Sequence, residues 1–178
     1  MRPEIGLTAA FERWADRARF QITEPSSTDG RAIVWDGGGE IRYFLGKDVD
    51  GWIVVTKSVR MADEHFELAS VHPALVERWF VAAFGRNLRL LHRSPRLSLP
   101  MAEKLAAGYS IGKQELWGRN RCTLVDPQGQ MIAAVGGDEL VGTMKVAYLS
   151  VLASNTVEAI EQSFSDPEGK PVFSIRDD

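Results

Sequence analysis

The 178-residue chain has 44% hydrophobic and 25% charged residues, the balance of one globular domain over 1–178 that buries roughly 70% of its unfolded surface without staples. A net charge of −3 with both signs interspersed argues against a general nucleic-acid binder held by phosphate contacts. Charges interrupt every apolar stretch of the N-terminal MRPEIGLTAAFERWADRARF, so neither a signal peptide nor a membrane span is expected, and a cytoplasmic location is.

Leu7, Phe11, Trp14, Ala15 and Ala18 recur at helical spacing and predict an amphipathic helix over about Thr8–Arg19. Pro25 and the SSTDG cluster break it. The runs AIVW, EIRYFL and WIVVT are β-branched and aromatic, with Asp36-Gly37-Gly38-Gly39 and Asp48–Gly51 as turns between them, so an antiparallel meander follows. EHFELAS, with Phe66 and Leu68 alternating with polar neighbours, is a fourth strand. The second helix has His72 as N-cap, Pro73 at its first position, a stripe of Leu75, Val76, Trp79, Phe80 and Ala83, and Gly85 as its C-terminal stop. Pro95 and Pro100 break the stretch 86–107 into a strand-like start and a loop, with a short helical turn around Ala102–Ala106.

Strands resume at YSIGKQEL. RCTLV and MIAAV, joined by Asp126-Pro127-Gln128-Gly129, form a second hairpin that extends the same sheet. The lone cysteine, Cys122, lies in this hairpin and reads as a small buried hydrophobe. Asp138 caps a third helix with the stripe Leu140, Val141, Met144, Tyr148, Val151 and Leu152, interrupted by Gly142. Asn155 and Glu158 start a fourth in the manner of a capping box, packing Val157, Ile160 and Phe164. The tail DPEGKPVFSIRDD is extended. The fold class is therefore α+β: one domain, with a mostly antiparallel sheet covered by helices.

Gly108-Tyr109-Ser110-Ile111-Gly112 matches the Gly-x-Ser-x-Gly nucleophile elbow by letter. The elbow needs a strand before the serine, a helix after it and a later histidine, whereas here helix-type residues precede, a strand pair follows and the last histidine is His92. His65, His72 and His92 lack metal-ligand spacing, and the single pair His65 and Glu67 is too few ligands. Gly37–Gly39 is not followed by Lys-Ser/Thr, so it is a turn rather than a phosphate loop. The carboxylate pairs Asp63 with Glu64, and Glu158 with Glu161, fall on solvated turns or helix faces. No cofactor is implied. Among five tryptophans, Trp14, Trp35, Trp52 and Trp79 belong to apolar faces and are assigned to the core. Trp117, with Arg119 and Arg121 beside it, is a candidate protein-binding hot spot. Arg86, Arg89, Arg93 and Arg96 with His92 make a basic stretch free of acids, suited to an acidic partner or to a solvated face.

RAIVWDGGGEIRYF, GWIVVTKSVRM, the helix ending in FG, GYSIG and SFSDPEGKPVF stand in an order that resembles immunity protein family 61 of bacterial polymorphic toxin systems, from about Asp29 to Phe173. The resemblance implies a cytoplasmic antitoxin without catalysis of its own. Its partner would be the C-terminal domain of a cognate NAD-glycohydrolase toxin, bound one to one, with the toxin's NAD-binding cleft blocked by a segment after the second helix. That segment corresponds here to about Arg93–Tyr109, which gives Arg93, Arg96, Leu97, Met101, Lys104 and Tyr109 as contacts. Arg89, Trp117, Arg119 and Arg121 are secondary ones. RLSLPM within it lacks an amide that could mimic nicotinamide, while its prolines and arginines suit a preorganised plug. Two alternatives stand beside this: a small serine hydrolase using Ser110, and a nucleic-acid or scaffold module using Arg86–Arg96.

Overall fold

The structure, a computed structural model, describes residues 5–98 and 104–176. Thr8 accepts the amide of Ala10 at the start of α1 (Ala9–Arg17), whose buried stripe is Phe11, Trp14 and Ala15. Glu77, itself buried in the next helix, takes the Thr8 hydroxyl and amide and so places a carboxylate at the positive end of α1. Arg19 then adopts φ +60° and turns the chain into β1 (Phe20–Thr23), a strand the sequence does not announce. Only Phe20 of its four residues is buried, so no alternation marks it.

The expected meander follows as β2 (Ala32–Asp36), β3 (Ile41–Lys47), β4 (Ile53–Val59) and β5 (His65–Ser70). Aspartates complete its turns. Asp36 Oδ1 accepts the Ile41 amide with Gly39 at φ +66°, and Asp48 Oδ1 accepts those of Asp50 and Trp52 with Gly51 at φ +83°. Val34, Tyr43, Leu45, Ile53, Val55 and Leu68 are buried under the helices, while Ile33, Trp35, Phe44 and Val54 alternate to the other face and are half-buried. Trp35 and Trp52 thus lie outside the helix-covered core to which their sequence context assigned them. Trp14 and Trp79 belong to it, Trp79 as a half-buried ring packed on its edge.

Helix α2 (Pro73–Leu91) does not stop at Gly85. A Cβ there would sit 2.2 Å from Cγ of Phe164, so the glycine serves close approach of a neighbouring helix rather than termination. The stretch read as strand-like from Arg86 is accordingly helical to Leu91. The described residues Lys104–Ala106 carry no helical turn. β6 (Ser110–Leu116), β7 (Arg119–Val125) and β8 (Met131–Val135) join the meander through β8 and β5, giving one antiparallel sheet in the order β1-β2-β3-β4-β5-β8-β7-β6.

Asp138 caps α3 (Glu139–Ala153) by accepting the Val141 amide. Its buried face is Gly142, Val146, Ala147, Tyr148, Leu149, Ser150 and Leu152, whereas Leu140, Val141 and Met144 are exposed. The helix is apolar nearly all round, so periodicity alone selects the wrong stripe. Gly142 is explained by contact: a Cβ would lie 2.8 Å from Sγ of buried Cys122. In α4 (Val157–Ser165) the cap is Thr156, not Asn155, whose side chain instead donates to the Val151 carbonyl. α1 packs on α2, α3 on β7 and β8, and α4 on α2, leaving the opposite face of the α+β sheet without a helix among the described residues.

Candidate functional site

The segment expected to carry function leaves the body at the end of α2. His92 is the C-cap, Arg93 takes φ +54°, and the Ser94 amide returns to the Arg89 carbonyl at 2.8 Å. Leu97 then forms an isolated antiparallel bridge with Ile175, in which Ser98 donates to the Ser174 carbonyl and Arg176 to that of Arg96. Leu97 is buried, and its Cδ2 fills the space a Cβ on Gly169 would need. On the return side the Ala106 amide donates to Ser150 Oγ at 2.9 Å, Leu105 and Tyr109 pack against the core, and Gly108 takes φ +83° beside Pro127. Both roots are thereby fixed to the body, with Arg93, Arg96 and Lys104 exposed. Met101 lies outside the described residues.

Arg89 is corrected from a contact to an internal tie. It is 5% exposed and donates from Nε to the Pro95 carbonyl at 2.9 Å, from Nη1 to Phe164 and, at 2.7 Å, to Asp166, and from Nη2 to Pro167 at 2.9 Å. One guanidinium thus joins the α2 terminus, the root at Pro95 and the turn after α4. Burial pushes it down from the usual arginine value, against the opposing charge of Asp166. Leu97 is corrected in the same sense, since its side chain anchors the root and presents no free surface.

The basic stretch does not make one basic face. Arg89 is internal, and of the three exposed arginines Arg86 lies over Tyr148 at 5.3 Å on α2, while Arg93 and Arg96 lie beyond the end of that helix. A polyanion-binding stripe needs several free cations in a row. Ser110 fares no better as a nucleophile, because it opens edge strand β6 instead of sitting between a strand and a helix. Gly112 faces Thr123 Oγ1, 2.6 Å from where its Cβ would be, so both glycines of the motif have structural reasons. His65 is held by Glu67 at 3.0 Å, and His72 and His92 sit at the two ends of α2. No group of three potential metal ligands occurs among the described residues. Two clefts, of about 210 and 170 Å³, are smaller than the roughly 300–1,000 Å³ typical of small-ligand sites.

At the far end of β6, Trp117 and Gly118 form the two-residue tip of the β6–β7 hairpin, with φ of +49° and +71°. Trp117 packs on Trp52 and Phe66 over the helix-free face, and its Nε1 donates to Asp48 Oδ2 at 3.1 Å. Arg121 stacks over Phe66 at 3.7 Å, and Arg119 is exposed beside it. β6 runs from Ser110 to Leu116, so this cluster lies about 25 Å from Tyr109 at about 3.3 Å per residue. The candidate residues therefore form two separate surfaces.

The fold is thus a single antiparallel sheet backed by helices on one face, with the candidate residues on two separate surfaces. The chain belongs to the immunity protein 61 family, whose model matches residues 14–172. It is 35% identical over 173 residues to the immunity factor for TNT of Mycobacterium tuberculosis (strain ATCC 25618 / H37Rv), covering 96% of this chain and 94% of that one. The immunity factor for TNT homolog of Mycobacterium bovis (strain BCG / Pasteur 1173P2) gives the same figures. The solved structure of Rv3902c from M. tuberculosis has a TM-score of 0.87 at 32% identity and 98% coverage of both chains.

Proposed function

We propose that this chain is a cytoplasmic, non-enzymatic immunity protein that binds the C-terminal domain of a cognate NAD-glycohydrolase toxin one to one and excludes NAD from its active site. The observation that carries this reading is similarity along nearly the whole chain to an immunity factor for TNT. The plug is the 93–109 segment, with Arg93, Arg96 and Lys104 exposed around it and both of its roots bonded to the body. Roots already fixed lower the ordering cost of inserting such a segment into a cleft. Exclusion of substrate needs no chemistry from the inhibitor, in keeping with a serine at an edge-strand start and no histidine later in the chain than His92. The test is NAD consumption by the purified toxin domain titrated with this protein. Activity should fall linearly to zero at one equivalent. Full activity in the presence of excess protein would refute the proposal.

A further inference from the structure

Ala69 and Ala134 pair with each other on the face of the sheet that carries no helix, yet both are fully buried. Trp52, Phe66 and Trp117 gather on that face, and Arg121 lies across Phe66 and, at 5.9 Å, Trp117. The cover is incomplete, because Trp117 remains 40% exposed. Its position is also unusual. A turn with two positive φ angles favours Asn-Gly or Gly-Gly, so an indole there needs a reason beyond closing the hairpin.

The two charged groups beside it differ in how far they are satisfied. Asp48 spends Oδ1 on two backbone amides and Oδ2 on the Trp117 indole. Arg121 uses Nε on the Leu116 carbonyl at 3.1 Å, and neither η nitrogen has a bond among the described residues. Burial and, after it, the charge of Arg119 push the Arg121 guanidinium down. Stacked on Phe66 and fixed through Nε, Arg121 presents a preoriented fork suited to a carboxylate.

We propose that the β6–β7 tip, Trp117 with Arg119 and Arg121, is a second docking surface that receives a carboxylate-bearing patch of the toxin domain. An exposed indole flanked by two arginines that have no ion pair among the described residues has the composition of an interface anchor. The inference rests on the reading of the chain as a toxin-binding immunity protein. An interface burying about 800 Å² per partner is about 30 Å across, so it can just reach both this tip and the 93–109 segment. Contacts so far apart contribute independently.

The experiment measures toxin-domain binding by calorimetry at low and moderate salt for wild type, Trp117→Asn and the double variant Arg119→Gln/Arg121→Gln. Asparagine suits the turn, so the hairpin is retained, and circular dichroism melting checks each fold. Trp117→Asn should weaken binding tenfold or more. The double variant should weaken it at least tenfold at low salt and flatten the salt dependence, while NAD hydrolysis stays fully inhibited at saturating protein. Wild-type binding with both variants within twofold of it overturns this inference and leaves the plug intact. No binding by wild type overturns both. Loss of self-association by the variants, with toxin affinity unchanged, makes a second copy of the chain the occupant and also overturns it.

Discussion

Replacing Arg89 with glutamine removes a guanidinium that ties three segments together. Carbonyls of Pro95, Asp166 and Pro167 accept from it within 3.0 Å, and that of Phe164 at 3.5 Å. A hydrogen bond to a charged group contributes about 1.5–3 kcal/mol, but three of these four are only part-buried, and water can replace the donor there. About 1 kcal/mol for each of the three short bonds gives a loss of about 3 kcal/mol. With a urea slope of about 2 kcal/mol per molar for a domain of this size, the unfolding midpoint should fall by about 1.5 M. The melting temperature should drop by about 6–12 °C. Because the tie holds the root of the 93–109 segment, toxin affinity should fall too, and Arg89→Lys should restore only part of the stability, lacking the fork. A glutamine variant with wild-type midpoint and lost toxin binding would refute the tie and make Arg89 a contact.

Gly85→Ala should destabilise by about 2 kcal/mol, since overpacking against Phe164 outweighs the roughly 1 kcal/mol of helix propensity gained. Chemical unfolding checks it, and a more stable variant would contradict the α2–α4 packing. Burial pushes the Glu67 carboxyl up, while the hydrogen bond and charge of Lys145, aided by Lys57 and His65, pull it down further, leaving its pKa lowered. A lowered folded pKa stabilises the protein above the unfolded value of about 4.3, and that contribution is lost as acid protonates the group. Lys145→Met should therefore cost about 1–2 kcal/mol at pH 7 and little near pH 3, as read from urea midpoints at the two pH values.

The meander was legible because strand composition and turn chemistry agree at Asp36–Gly39 and Asp48–Gly51. The second hairpin was legible for the same reason, with Asp126 Oδ1 accepting the amides of Gln128 and Gln130 as its turn residues suggest. What failed was the meaning of glycine and of apolar runs. Gly85 has the look of a helix stop, and its purpose becomes visible only when Phe164 arrives from far along the chain. In α3 the apolar residues cover too many sides for periodicity to choose a face, so Leu140, Val141 and Met144 went to the core by pattern and to solvent by packing. A sheet with helices on one side also has a second apolar face, which alternation reveals but does not rank, so Trp35 and Trp52 were given to the wrong side.

Among the candidate contacts, the sequence set Trp117, which is 40% exposed, apart from the tryptophans assigned to the core and grouped it with Arg119 and Arg121. It had no means of seeing Trp52, Phe66 and Asp48, which come from other strands and turns and hold the cluster. Arg89 was misread because a basic stretch looks uniform in one dimension. In the fold the same stretch divides between an internal tie and three exposed arginines, of which Arg86 lies over Tyr148 and Arg93 and Arg96 follow the end of α2.

Steric exclusion is most directly tested by competition. The affinity of this protein for a catalytically inactive toxin domain should be measured against rising concentrations of NAD. Mutually exclusive binding predicts that the apparent dissociation constant rises in proportion to NAD once NAD exceeds its own dissociation constant from the toxin. An affinity independent of NAD, with a ternary complex recovered by gel filtration, would contradict the account.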